Sequence, residues 1–402
     1  MTEKTSCCIV GAGPAGVVLA LLLARKGVDV TLLELHHDLD RDFRGDTVHA
    51  STLEVLDQIG LADAVLTLPH ARMSSVTLHT REASIPMVDF SRLKTRFPYV
   101  MIMPQVTFLN FLCDQAARFS NFTRLLGAGV QELVTEGERV TGVRYRHDGE
   151  SHQLNADLVV AADGRFSRVR KLAGLTAQTL TPPMDVCWFR LPRLESDGHE
   201  TGAFYVGGGR LLIMLPRPDA WQLGYVFPKG DFKAVRDLGL DAFRKSLGDV
   251  VPWIAERAAA IDGWDDVHLL SVASDCLACW HQPGLLCIGD AAHVMSPVGG
   301  IGINAAIGDA VEAANVLIEP LSAGTMPDET HLAEIQNRRA RPTRIIQTVQ
   351  TRIQDTIVAR AISDRQFDLP LVVKLILRTP GLRDLPARVF ALGLKPLRLE
   401  SP

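Results

Sequence analysis

Cys7-Cys8-Ile9-Val10-Gly11-Ala12-Gly13-Pro14-Ala15-Gly16 decides the fold of this chain. The apolar run over residues 6–10 reads as a buried parallel strand, because a strand covered on both faces shows no polar alternation. The glycines that follow have the spacing of a strand-to-helix turn. Gly11 permits the tight turn, Gly13 lets a pyrophosphate approach the backbone, and Gly16 allows strand and helix to pack closely. An apolar helix is predicted over about residues 14–26, capped by Gly27, with its first amides and its dipole available to phosphates. A second strand over residues 28–34 completes a β-α-β unit. It ends on Glu34, where a carboxylate accepts the ribose hydroxyls of an adenosine. A glycine-rich packing turn would leave Glu34 unexplained, so the unit reads as a dinucleotide site. The triplet alone does not separate NAD from FAD.

The rest of the composition sets bounds around that unit. The chain has 402 residues, 47% hydrophobic and 22% charged, which suits two or three structural units of a globular protein. Wholesale disorder, a collagen repeat and a small disulfide scaffold are excluded. The net charge of −4 gives no reason to expect nucleic acid. The charge is uneven: residues 338–402 carry 13 Lys+Arg against 5 Asp+Glu, net +8, which leaves −12 on the first 337. The seven cysteines are odd in number and lie mostly in apolar runs, so they read as reduced thiols of a cytoplasmic protein. Met1-Thr-Glu-Lys leads straight into a strand, with no leader pattern. The longest apolar stretch read from the sequence, residues 16–24, is too short to span a bilayer.

Further along, a capped helix is expected over residues 51–60, helical spacing over 105–119, and strands at 129–134, 139–146 and 157–162. From about residue 183 the texture changes to alternating segments at 185–191, 210–216 and 221–227, an antiparallel sheet. A short buried strand at 285–288 precedes an Ala-rich helix over about 303–319. A long helix over 329–362 is expected to be interrupted near Pro342.

Two more segments carry chemistry. They are Ala161-Ala-Asp163-Gly164-Arg-Phe-Ser167-Arg-Val-Arg170 and Leu286-Cys-Ile-Gly289-Asp290-Ala-Ala-His293-Val-Met-Ser-Pro297-Val-Gly299-Gly300-Ile-Gly302-Ile-Asn304. With the N-terminal glycines, in this order and spacing, the chain resembles the single-component FAD-dependent aromatic hydroxylases, the para-hydroxybenzoate hydroxylase family, over nearly its whole length. The resemblance implies an α/β fold: a Rossmann-like FAD-binding domain (residues 1–72, 100–180 and 271–328), an interleaved antiparallel-sheet substrate domain (73–99 and 181–270) and C-terminal helices (329–402). It implies bound FAD, NADH or NADPH as a transient co-substrate, and O2. The activity implied is hydroxylation of a hydrophobic, aromatic or phenolic small molecule through a flavin C4a-hydroperoxide. There is no second Gly-rich β-α-β unit for a permanent nicotinamide site, which fits transient NAD(P)H binding. No metal is expected.

Carried over residue by residue, the resemblance puts Gly11, Gly13, Ala15 and Gly16 at the pyrophosphate and Glu34 at the ribose. Arg44 reaches the FAD phosphates, and Gln105 lies near the ribityl chain. Asp163 and Gly164 belong to a motif tied to both FAD and the nicotinamide donor. Gly289 and Asp290 meet the ribityl hydroxyls. The backbone at Gly302, Ile303 and Asn304 faces the flavin N1/O2 edge, where a helix N-terminus suits negative charge. Pro297 and Gly299 lie on the catalytic side of the ring. His49 is read either as pointing into the active site or as a solvent-facing loop residue. His293 is read as ordering its turn or as transferring a proton. Cys276-Leu-Ala-Cys279 has redox spacing without a second pair and reads as structural thiols.

Substrate residues are sought in the alternating sheet, with Trp188, Tyr205, Met214, Trp221 and Tyr225 as candidates for an apolar pocket or for core. Arg190, Arg210 and Arg217 flank strands, so a neutral or phenolic substrate is expected rather than a benzoate. The chain departs from the family in one motif position: Ile301 stands where Gly-Gly-Gln-Gly has its glutamine. Other readings are a flavin-dependent reductase, a halogenase or a non-catalytic flavin protein. Against the halogenase, Arg210–Pro216 lacks the Trp-x-Trp-x-Ile-Pro tryptophans. The basic tail is expected to pack on the body or on a second copy in a homodimer, with contact to a membrane surface the lesser alternative.

Overall fold

Five parallel strands build the nucleotide-binding half, in the spatial order Leu285–Cys287, Glu150–Ala161, Glu3–Val10, Val30–Glu34 and Phe122–Leu126. The computed structural model describes residues 3–40, 46–197, 201–363 and 367–400. Cys7, Cys8 and Ile9 are fully buried, as the unbroken apolar run requires. The Pro14–Ala24 helix is apolar on every face and nearly all of it is buried; it is a core helix and packs against the Gly302–Ser322 helix. Strands Gly129–Glu136 and Arg139–His147 extend the sheet as an antiparallel meander on Glu150–Ala161.

Because the strands are parallel, their carboxyl ends share one rim. The rim carries, side by side, the turn at Gly289, the turn at Asp163, the Gly11–Gly16 loop and Glu34, the usual place for a ligand in an open α/β sheet.

The second sheet has seven strands, ordered His268–Leu270, Met184–Pro192, Ala220–Pro228, Arg210–Pro216, Thr201–Gly207, Ser75–His79 and Ser84–Asp89. All neighbours are antiparallel except Thr201–Gly207 with Ser75–His79. Alternation gives it two apolar faces. The outer face, with Phe189, Met214 and Tyr225, is covered by a layer that includes Leu240–Val250 and contributes Phe243 and Leu247. The inner face, with Val186, Trp188, Phe204 and Ile213, meets Val298 and apolar residues of the segments 353–362 and 367–377.

The long helix differs from expectation. It runs unbroken through Pro342 from Glu329 to Ile353, continues as a π turn at Gln354–Val358 and ends as Ala359–Ser363. A proline inside a helix costs about 3 kcal/mol. Here the helix also buries Thr343, Ile346, Gln347 and Gln350 along one face, and packing overrides the local penalty. The C-terminal segment packs on the body: Ala387 and Ala391 are fully buried and Leu397 and Leu399 nearly so, all in the main core. Its basic excess is partly neutralised there, since Arg338 pairs with Glu312, Glu334 and Glu400.

The apolar-length expectation is also corrected. The turn at Val298–Gly300 and the Gly302–Ser322 helix together make a stretch long and apolar enough to cross a membrane by length and composition, and 83% of its most apolar window is buried inside the protein. Scattered Asp and Glu residues hide this length from a search for uninterrupted apolar runs.

Candidate functional site

The three glycine-bearing motifs touch through their backbones. The Ala162 amide donates to the Val10 carbonyl at 2.8 Å and the Ile288 amide to Ala161 at 2.9 Å. Gly11 has φ +104°, and a Cβ there would lie 2.4 Å from the Ala162 carbonyl oxygen. A Cβ on Gly16 would lie 2.0 Å from the Gly11 oxygen. These two glycines are needed by the protein itself. Gly13 is different: a Cβ there meets only the Ala162 oxygen, at 3.9 Å, and a Cβ on Gly302 meets nothing within 4 Å. Neither has the positive φ that demands glycine. Two glycines left open at the starts of two helices are what a ligand lying against the backbone requires. Gly289, at φ +58°, is wedged between Ala15 and Ala306, whose Cβ atoms would lie 3.1 and 3.3 Å from a Cβ built on it. Ala15 therefore serves the packing of the two motifs on each other.

Glu34 is 7% exposed and accepts the Ala12 amide at 2.9 Å and the His36 amide at 3.0 Å, which fixes its carboxylate beside the glycine loop. Arg44 lies outside the described residues. Gln105 starts the Gln105–Ala116 helix, and its backbone N–H points to the Asp46 carboxylate. Burial pushes the Asp46 carboxyl above its ordinary range, against the pull of Arg217 and Arg190. Asp46 is ion-paired with the buried Arg217, which also donates to Gln222 Oε1 at 3.4 Å. This pair ties the nucleotide half to the second sheet.

Asp163 accepts from Ser167 Oγ at 2.5 Å and from the amides of Arg168 and Val169 at 2.7 and 3.1 Å, so its carboxylate orders the start of the Arg168–Leu172 helix. Burial raises its pKa despite these bonds. Gly164 beside it stands at φ +80° with open space at its Cβ. Asp290 is half-buried in the Gly289–Ala291 turn.

A buried network orders that turn. Asp309 is 0% exposed; its Oδ2 accepts the Gly289 amide at 2.9 Å and His293 Nε2 at 2.6 Å, and its Oδ1 accepts Arg339 Nε at 2.7 Å. Burial raises the Asp309 carboxyl, but His293 and Arg339 outweigh it and hold the pKa at about 2. The geometry gives His293 the turn-ordering role. Gly308 makes it possible, since a Cβ there would lie 2.8 Å from the Arg339 guanidinium.

The Pro297–Asn304 segment is held from two sides. Gly299 and Gly300 have φ of +81° and +62°; a Cβ on the first would strike the Phe390 ring at 2.6 Å, and on the second Thr47 Oγ1 at 2.7 Å. Asn304 Oδ1 accepts the His49 amide at 3.0 Å and Thr52 Oγ1 at 2.8 Å, so its side chain latches the loop to the Ala50–Gln58 helix. The Ile303 side chain enters the main core. Ile301 packs with Met295, Ala305, Ile346 and Phe390, an apolar cluster under the C-terminal helix Leu385–Leu392. His49 is 2% exposed rather than solvent-facing. Its Nδ1 donates to the Phe390 carbonyl at 2.7 Å, and burial lowers its pKa to about 4, with the Phe390 and Gly300 carbonyls opposing.

The five substrate candidates separate. Trp188 lies on the inner face with Val298, over Gly224. Met214, Trp221 and Tyr225 are buried in the outer cluster, with Tyr205 packed against it; Tyr225 lies edge-on to Phe243, and Tyr205 stacks on His79. Inner-face neighbours that sequence reasoning missed are Phe204 and Ile213. It also missed Asp46, Asp309 and Arg339. Asp309 and Glu312, two carboxylates in the Ala-rich run, were the available signal, since a buried charge requires a partner.

Comparison with known proteins shows the family and the fold. The family model described as FAD binding domain matches residues 4–349. The chain is 33% identical over 401 residues to a 6-methylpretetramide 4-monooxygenase of Streptomyces rimosus, covering 99% of this chain and 94% of the relative. It is 25% identical over 400 residues to a digeranylgeranylglycerophospholipid reductase of Methanocella arvoryzae, covering 94% and 95%. Among solved structures, PqsL of Pseudomonas aeruginosa superposes with a TM-score of 0.76 at 23% identity, over 90% of this chain and 98% of that one.

Proposed function

Since the chain belongs to the FAD-binding-domain family and is an FAD-dependent monooxygenase, we propose that it hydroxylates a hydrophobic aromatic or phenolic small molecule, using NADH or NADPH and O2. The carrying observation is the pair of open glycines, Gly13 and Gly302, at the rim where the three motifs meet. Bound FAD would supply the two-electron chemistry that links the nicotinamide donor to oxygen.

The chain's own residues bind, orient and exclude water. The Gly13 backbone and the N-terminus of Pro14–Ala24 take the pyrophosphate, and Glu34 takes the ribose. The first amides of Gly302–Ser322 would hold the edge of a bound flavin that gains negative charge on reduction, a charge that a helix N-terminus stabilises. Pro297 and Gly299 lie in the loop that would border the substrate side of a bound flavin, and Val298 between them packs with Trp188, Phe204 and Ile213, an apolar wall. That wall suits an aromatic substrate and keeps water from the reacting centre. Of the strand-flanking arginines, Arg217 is already neutralised by Asp46, which favours a neutral or phenolic substrate over a benzoate. The name of the 33%-identical relative, a 4-monooxygenase, supports ring hydroxylation.

The 25%-identical reductase supports a second reading, reduction of a double bond. One experiment tests both. The purified protein is expected to be yellow with releasable FAD, and to oxidise NADH or NADPH faster when a substrate phenol is present, with oxygen incorporated into product. A colourless protein that cannot be reconstituted with FAD refutes the proposal, and substrate reduction under anaerobic conditions selects the reductase.

A further inference from the structure

The buried face of the long helix carries a stripe of glutamines: Gln347, Gln350 and Gln354, one per turn. Each addresses the loop that leads through Pro297. Gln347 Nε2 donates to the carbonyls of Asp275 and Val294 at 2.9 and 3.1 Å. Gln350 Nε2 donates to Ser296 and Val298 at 2.9 and 2.8 Å. Gln354 Nε2 donates to Ser296 Oγ at 2.6 Å, and that oxygen also accepts the Val298 amide at 3.3 Å. Three successive turns of the helix thus hold one loop: Gln347 takes the Val294 carbonyl, Gln350 those of Ser296 and Val298, and Gln354 the Ser296 hydroxyl. Gln354 is the first residue of the π turn, a local widening that often accompanies functional sites.

Gln350 stands out. Its two amide hydrogens go to the carbonyls immediately before and after Pro297, which has no N–H of its own to hold it. Gln350 is 1% exposed, and its Oε1 meets no donor among the described residues. A buried primary amide with one end unsatisfied is a cost, so the donor end is what the position is built around. Gln350 also lies just beyond the matched family region, which ends at residue 349.

We propose that Gln350 is a positioning residue for the monooxygenase reaction: its carboxamide brackets Pro297 and sets the substrate-side loop against the inner face of the second sheet. The proposal rests on the functional reading above, and its test separates the two. In Q350M the side chain keeps its length and loses both donors. In protein without FAD, amide hydrogen exchange in the peptide spanning residues 294–301 is expected to speed up by roughly tenfold, while the peptide spanning residues 11–18 is unchanged. In holoenzyme with a turned-over phenol, a larger share of the oxidised NADH or NADPH is expected to appear as hydrogen peroxide instead of product, with KM raised more than kcat is lowered. T348A on the exposed face of the same helix, where Thr348 bonds only back to Arg344, is the control and is expected to behave as wild type. Should Q350M fail to fold, Q354M, which releases the Ser296 hydroxyl, is expected to shift the same peptide in the same direction. Unchanged exchange at residues 294–301, or an equal change in T348A, overturns the proposal. The exchange measurement decides the bracket even if the oxygenase reading fails.

Discussion

Replacing Asp309 by asparagine tests the buried network most severely. The fully buried carboxylate accepts three protein donors: the Gly289 amide and His293 on Oδ2, and the Arg339 guanidinium on Oδ1. An asparagine has one acceptor oxygen. In either orientation Arg339 loses its anion; with the NH2 towards Arg339 two donors also face each other there, and with the NH2 the other way the Gly289 amide and His293 lose their acceptor. Breaking a buried pair by removing one partner costs about 3–5 kcal/mol, and D309N is expected to lose that much in urea unfolding at pH 7. Trp280, whose ring is 4.9 Å from that of His293, reports the change by fluorescence. R339M is expected to cost a similar amount, and D309N/R339M less than the sum by about 2 kcal/mol, because removing both partners leaves no orphan. The pH dependence gives an independent check. The folded pKa is about 2 against an unfolded value of about 3.9. Wild type therefore keeps this contribution above about pH 5 and loses about 2–3 kcal/mol progressively as pH falls from there through the folded pKa to below 2; D309N lacks that slope. FAD affinity should fall with the Gly289 turn. A D309N loss under about 1 kcal/mol with FAD retained would refute the reasoning.

Glycine substitutions should divide the site by cause. G11A and G16A are expected to fail to fold, because each Cβ collides with backbone. G13A should fold normally, and G302A should gain about 0.5–1 kcal/mol from the added helix former. Both are expected to weaken FAD binding tenfold or more, and tight FAD binding by both would remove the case for the open glycines. His49 stays neutral in the fold until pH falls to about 4, whereas the unfolded residue takes its proton near 6.5. Stability is therefore lost as pH falls across that window, by up to about 3 kcal/mol. H49Q is expected to give a flatter profile there in urea titrations, and parallel profiles would count against it. W188A is expected to raise KM for substrate with little change in melting temperature. Y225A, in the outer cluster, is expected to cost about 3–5 kcal/mol, with KM near wild type in whatever folds. The opposite pattern would put the substrate on the outer face.

Local sequence carried the nucleotide half. An apolar run, glycines at fixed spacing and a carboxylate at the next strand end are short-range features, and each has one physical use, so the β-α-β unit could be read residue by residue. The two later motifs were legible through their resemblance, and the alternating texture after residue 183 announced an antiparallel sheet. Which of its faces meets the flavin loop was not legible. Alternation defines two faces and is silent about what covers each. The layer around Leu240–Val250 took the outer face, and with it Met214 and Tyr225, leaving Trp188 inside.

The same limit explains the other residues that were missed. Asp309 and Arg339, Asp46 and Arg217, and His49 and Phe390 are pairs separated by tens to hundreds of residues, and only folding brings them together. Pro342 was read as a break because local propensity is all a sequence window contains, whereas the packed polar stripe that carries the helix past it is a tertiary fact. That a dinucleotide fits against the parallel strands is legible in the residues alone, because steric and dipolar demands on a phosphate loop are local. The tertiary structure alone decided how the substrate side is held, because the basic tail folds back and seats its helices against Pro297 and Gly299.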